Sequence, residues 1–329
     1  MPFDYRTVYP ADAVESLIAG GWRPGIGSDP RAVALVRRVH QACARAGVER
    51  EAVIGAAGVA VVRMAIRHGS LGSDGHAYHN ERHLLDLLED KLQLLLAAAA
   101  LPVAKREALV LFCACHDLRQ REARRHEDEP VGANEAASLA EAERLLDAAG
   151  VDDAALRIPL RFAIAGSTFA TGTDEQGRPQ GALAHRLGAW LDGARPGWRD
   201  HPLAAHAEHL ARMAADIDTS NVASPYIDFA QSAIALATEI QFRAGRGLET
   251  PEAAASCFGF LTDGQERYVF GLQRFGSREG RAAFGAQRDA NAARVREVSR
   301  RLRERFGDAG AASGREAIEA FRAIAAEVP

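Results

Sequence analysis

Two histidines four residues apart, His79 and His83, open the apolar run "YHNERHLLDLLEDKLQLLL". That spacing predicts both imidazoles on one face of a helix. Further along, "REALVLFCACHDL" ends in the pair His116-Asp117. The apolar run predicts a buried helix, so an imidazole and a carboxylate stand at the end of a core element. Both are costly to bury unpaired, and a metal ion satisfies them together. A further carboxylate comes from "LARMAADIDTSN", where Asp216 and Asp218 end another amphipathic pattern and point to different sides of it. Two imidazoles and two carboxylates from three helices form a mixed nitrogen and oxygen ligand set. Such a set suits zinc, manganese, iron or nickel, and a bridging carboxylate holds a harder second ion such as magnesium.

The elements that must position these groups read as helices. Apolar residues recur at three- and four-residue steps in 31–47, 51–67, 80–100, 135–149, 203–217 and 227–244. Alanine, leucine, arginine and glutamate dominate, the residues that lose least on entering a helix. Only 13 prolines interrupt the chain, and alternating β-branched runs are scarce, so the expected fold is all-α. Three stretches read as connections: 19–30, with Ser28 or Asp29 as a helix cap; 68–79; and 171–181, "TGTDEQGRPQG", expected to be mobile or to form part of a rim. The charged stretch 277–329 carries apolar residues at helical spacing and predicts one or two amphipathic helices, on the main domain or against a second copy in a homodimer.

With 40 Lys and Arg against 44 Asp and Glu in 329 residues, the chain has no global basic field to recruit nucleic acid or an anionic membrane. Four cysteines without a CxxC pair are no disulfide framework. No amino-terminal signal pattern and no membrane-length apolar run is visible, which leads us to expect a cytoplasmic protein with reduced thiols.

The order H…HD…D resembles the signature of the HD-domain metal-dependent phosphohydrolases. "YHNERH" followed by "CHDL" is similar to the class I cyclic nucleotide phosphodiesterase branch, over roughly residues 75 to 270. "ANEAASLA" after the HD pair, with an Ala-Asp-hydrophobic step later, also resembles bacterial HD phosphohydrolases. The resemblance implies an all-α HD-domain, PDEase-like bundle over 31–276, with helical extensions at 1–30 and 277–329. It implies His83, His116, Asp117 and Asp216 as ligands, with Asp216 favoured over Asp218, Asp117 bridging to a second ion, and His79 as general acid. The cofactors implied are two divalent ions drawn from manganese, magnesium, zinc or iron. Two ions roughly 3.5–4 Å apart activate water and offset charge on both the attacking and leaving oxygens. The implied activity is hydrolysis of a phosphodiester or nucleotide-like phosphoester, a small-molecule substrate, by metal-activated hydroxide. Asp86, three residues beyond His83, is placed to orient a ligand ring.

The chain departs from the pattern in three places. After the HD pair, Arg119 and Gln120 replace an acid–histidine step, and the Gly132–Asn134 pair arrives after a charged insertion containing His126. Asn134 is a substrate-binding candidate by that match. Near "AAASCFGFL" the resemblance places Phe260 at a purine clamp and Cys257 where a glutamine is expected, and a thiol cannot present the paired donor and acceptor of an amide. Third, "FAIAGSTFATG" holds no histidine, which argues against a di-iron oxygenase on the same fold, although His185, His201, His206 and His209 lie between the HD pair and the final Asp. A non-catalytic nucleotide sensor is the other alternative, because fold does not fix function.

Overall fold

Each of these periodic runs folds as a helix in the computed structural model, which describes residues 14–15, 29–73, 75–120, 131–194, 196–307 and 310–328. Helix α1 (Pro30–Arg45) starts at Asp29, whose side chain accepts from the Arg31 amide at 2.8 Å, with proline in the first position. Helix α2 spans Glu51–His68. Helix α3 (Glu81–Asp86) passes through a π-helical turn (Leu87–Lys91) into α4 (Leu92–Ala98). Helices α5 (Val103–Cys115), α6 (Ala133–Ala148) and α7 (Ala154–Ser167) follow. Helix α7 lies outside those periodic runs; its Pro159, in the second turn, forfeits one ladder bond, and the buried Leu156, Leu160 and Ile164 hold the helix.

The stretch 171–181 is not a plain loop. It is a hairpin of β1 (Phe169–Thr173) and β2 (Pro179–Ala182), the one sheet among the described residues. Its turn closes because the Asp174 carboxylate accepts from the Gln176 and Arg178 amides, while Gly177 takes a positive φ of 73°. Beyond it come α8 (Leu187–Ala194), α9 (Ala204–Asp218), α10 (Tyr226–Arg243) and α11 (Pro251–Gly259). Two π-helical turns, Phe260–Gly264 and Tyr268–Leu272, flank one α turn. The charged carboxy-terminal stretch forms two helices, α12 (Arg278–Phe306) and α13 (Gly314–Glu327). The fold is all-α, and no helix of the described residues is long and apolar enough to cross a membrane.

The chain divides into two compact units: residues 1–170, 180–218 and 275–283 form one, and 171–179, 219–274 and 284–329 the other. Most of the 1–30 extension, Ser28 included, and the insertion from Arg121 to Pro130 with His126 lie outside the described residues.

In the first unit, α5 is the buried axis. Leu109 through Cys115 are all without exposure. Burying Leu109, Leu111 and Phe112 contributes about 1.5–3 kcal/mol each, enough to carry a polar helix end into the interior. Helices α7 and α9 approach through small residues. A Cβ on Gly166 would stand 3.2 Å from the Cβ atoms of Ala184 and Ala211. On α9, Ala207, Ala211, Ala214 and Ala215 are wholly buried, which gives the alanine enrichment a packing role.

The last turn of α9 is tied to the start of α12. The Asp216 carboxylate accepts from the Gly276 amide at 2.7 Å, the Ser277 amide at 2.8 Å and the Ser277 hydroxyl at 2.5 Å. Ser277 in turn accepts from the Gly280 amide at 2.8 Å. Asp216 therefore neutralises the exposed amides at a helix start, where negative charge is favourable. A Cβ on Gly280 would collide with that carboxylate, so glycine is required there by close approach. Asp216→Asn removes the charge and sets an NH2 donor in place of one of the two accepting oxygens. We expect a loss of about 1–3 kcal/mol, read as a lowered thermal unfolding midpoint; an unchanged midpoint would refute this role.

Candidate metal centre

The end of α5 builds half of the centre. The His116 amide still donates to Phe112 O at 3.0 Å, and its ring Nδ1 lies 3.2 Å from the same carbonyl. An Nδ1–H donor shares that carbonyl with the backbone amide and leaves the lone pair on Nε2. That Nε2 is buried and makes no hydrogen bond, although Asp117 Oδ2 lies 3.3 Å and Asp218 Oδ1 3.2 Å away.

The start of α3 supplies the other imidazole. Asn80 caps the helix, accepting from the Arg82 amide at 2.9 Å and donating to His76 O at 2.7 Å. His83 then sits on the first turn, with Nε2 3.5 Å from both Asp117 Oδ2 and Asp218 Oδ1. His79 lies before the cap, outside the helix, so the expected shared helical face does not exist. Its ring centroid is nevertheless 6.3 Å from that of His83, edge to face, and Tyr78 packs 4.9 Å from the His83 ring.

Asp218, not Asp216, completes the cluster. The Asp216 carboxylate is committed to Gly276 and Ser277, and two residues of helical rotation bring Asp218 round to the histidines. Ligand atoms of His83, His116 and Asp218 all lie within 4.8 Å of one another, the one such group among the described residues. The N···O separations suit a common ion. Two ligands about 2.1 Å from a metal stand about 3.0 Å apart at a right angle and about 3.4 Å apart at the tetrahedral angle. Charge-assisted hydrogen bonds would instead close to about 2.7–2.9 Å. The buried Nε2 and the paired carboxylates thus fit a divalent cation.

The field within the site is strong. Burial would raise the Asp117 carboxyl, but the imidazoles of His116, His79 and His83 hold it far below the usual range. Asp218 is held at about 2, its burial outweighed by His116 and His83. Burial opposes a charge on His116, yet the two carboxylates raise its basicity well above normal. Protons and a cation compete for the same groups, so metal affinity rises with pH.

Two further residues support the centre: Gln120, read in the sequence only as a departure after the HD pair, and Glu135, which sequence reasoning did not single out. The Gln120 amide donates to Asp117 Oδ1 at 2.8 Å, leaving Oδ2 to face the histidines, and Asn134 Nδ2 donates to Gln120 Oε1 at 3.3 Å. Asn134 therefore stands as a link to a ligand rather than as a substrate contact. The second is Glu135, in the first turn of α6, whose carboxyl is pushed up to about 7 by burial and then by the charges of Asp117 and Asp218. Its one sequence signal is its place directly after Asn134.

The remaining candidates fall elsewhere. Cys257 is wholly buried on α11, where burial raises its thiol pKa and keeps the side chain within the core. Phe260 is half-buried at the start of a π turn in the second unit. Asp86 pairs with the buried Lys91 at 3.8 Å. His209 pairs with Glu279 at 3.4 Å, and the close approach of Gly276 covers the His185 ring.

No family model and no curated protein matches the chain. Among solved structures it resembles the phosphodiesterase domain of a rhodopsin phosphodiesterase from Salpingoeca rosetta, at a TM-score of 0.52 and 14% identity, over 94% of this chain and 98% of that one. A second structure, of the phosphodiesterase domain of the RhoPDE fusion protein from the same choanoflagellate, matches at a TM-score of 0.50 and 14% identity, covering 92% and 96%. The likeness shows a shared helical fold.

Two outcomes follow. Gln120→Leu frees Asp117 to rotate and should weaken manganese binding about 10–100-fold by calorimetry; unchanged affinity would remove Gln120 from the centre. In the metal-free protein, Glu135 binds its proton more tightly folded than unfolded, where its pKa is 4.5. Its contribution is therefore complete below that value and lost as pH rises through about 7, with a ceiling on the order of 3 kcal/mol. Metal-free Glu135→Gln should accordingly lose less thermal stability than wild type between roughly pH 5 and 8.

Proposed function

We propose that this chain is a metal-dependent phosphohydrolase acting on a phosphodiester or nucleotide-like phosphoester. The observation that carries the reading is the convergence of His83, His116, Asp117 and Asp218 from three helices, on a fold shared with phosphodiesterase domains. Bound divalent ions would supply Lewis acidity to the phosphate oxygens and an acidified water. The four side chains hold and orient them. Asp117 faces the histidines through Oδ2, while the Gln120 amide holds its Oδ1.

His79 stands beside the cluster but outside the ligand set, which suits it to donate a proton to the departing alkoxide. Two ions, drawn from manganese, magnesium, zinc or iron, belong to this proposal. A homodimer through α12 and α13 is proposed with it, on their amphipathic pattern alone. The oxygenase alternative loses support, because none of the four intervening histidines joins the metal cluster among the described residues.

The test is turnover of cyclic and linear nucleotides and a generic phosphodiester by manganese-loaded protein. Asp117→Ala should abolish metal binding and turnover together. His79→Ala should retain metal and lower the rate about 10²–10⁴-fold. Full activity in Asp117→Ala, or no hydrolysis by the wild type across the panel, would sink the assignment.

A further inference from the structure

A second ionic cluster lies on the other side of the turn that carries Asp117. Arg63 and Arg67 on α2 and Arg119 after the HD pair all reach Glu141 on α6, at 3.3, 3.1 and 3.4 Å. These side chains are almost fully buried, with Glu141 at 0% and Arg119 at 1% exposure. The cluster grips the backbone of the turn. Arg67 Nη1 donates to Leu118 O at 2.6 Å, the Arg119 amide donates to Ser138 Oγ at 3.0 Å, and that hydroxyl donates back to Arg119 O at 3.3 Å. Directly on either side of Leu118 and Arg119 are Asp117, which faces the histidines, and Gln120, which orients it.

One member of this cluster comes from the far amino terminus. Glu15, 6% exposed, takes Arg144 in a two-pronged pair, Nε at 2.9 Å and Nη2 at 2.5 Å, and its Oε1 lies 3.5 Å from Arg119 Nη1. Burial would raise its carboxyl, and Arg144 outweighs that, holding it below its ordinary value. Arg119 thus stands between two carboxylates, and Glu141 already receives two other guanidiniums. A buried guanidinium that loses a counter-charge is strongly destabilised where it stands and swings towards water. For Arg119 such a swing pulls on the residues next to Asp117.

We propose that Glu15 is a positioning residue of the metal centre, acting through Arg119 and the turn that carries Asp117; this rests on the reading of that centre as a metal site. Glu15 is then a working part of the centre, because ligands need placement to within about 0.5 Å.

The experiment uses the full chain with Glu15→Ala and the milder Glu15→Gln. Manganese affinity is measured by calorimetry, and amide exchange is followed in the peptide spanning 113–120, both below the unfolding midpoint of each variant. The expected result is at least about tenfold weaker manganese binding and faster exchange at Leu118–Gln120. Arg144→Leu, which frees Glu15 while leaving Arg119 beside it, should show a smaller shift of the same sign. Wild-type affinity and exchange in both Glu15 variants, with only a lowered midpoint, would make Glu15 merely structural and overturn the proposal. Wild-type protein that binds no manganese would overturn the metal reading itself. In that case faster exchange in the variants would still place Glu15 in control of the turn, so the two failures are distinguishable.

Discussion

The aim of one buried imidazole, that of His116, organises the centre. Helix α5 is buried along its final two turns. The His116 amide continues its ladder to Phe112 O, and the ring Nδ1 lies 3.2 Å from the same carbonyl. With Nδ1 held there, the other ring nitrogen is aimed at the carboxylates. Replacing the imidazole would therefore disturb a core element and a ligand together. The apolar packing of α5 and the polarity of its tip belong to one arrangement.

The turn after α5 runs between two ionic clusters of opposite character. On one side carboxylates gather around imidazoles, a set that attracts a cation. On the other, guanidiniums surround Glu141 and Glu15. In a low-dielectric interior, each cluster is costly unless its partners stay in register. Holding Leu118 and Arg119 through their backbone groups provides that register. Arg119 and Gln120 are thus a support for the turn, with an arginine anchored below and an amide that cannot titrate above.

Much of this was legible in the sequence because local periodicity carries it. The helical runs and the buried helix before His116-Asp117 followed from spacing and polarity, and the grouping of His83, His116 and Asp117 followed from the family resemblance. The choice between Asp216 and Asp218 did not, because it depends on Ser277, some sixty residues away and brought close only by folding. The same holds for Gln120, whose role is visible only once Asp117 and Asn134 are in place. Cys257 matched a family position but is enclosed by the core of α11, which no motif reveals. Strands of five and four residues, closed by an Asp174 turn, were too short to leave an alternating pattern.

The π-helical turn at Leu87–Lys91 bears on how such a site can change over time. The Leu92 amide reaches back five residues to Leu87, so the helix carries one residue more than an α-helical path needs. That surplus rotates everything before it by about 100° relative to everything after it. His83 is therefore indexed to its own cap at Asn80, while Leu92 and Leu95 are indexed to the core. The two ends of this helix answer to separate constraints, and substitutions in the hydrophobic half can accumulate without dragging the histidine off its mark.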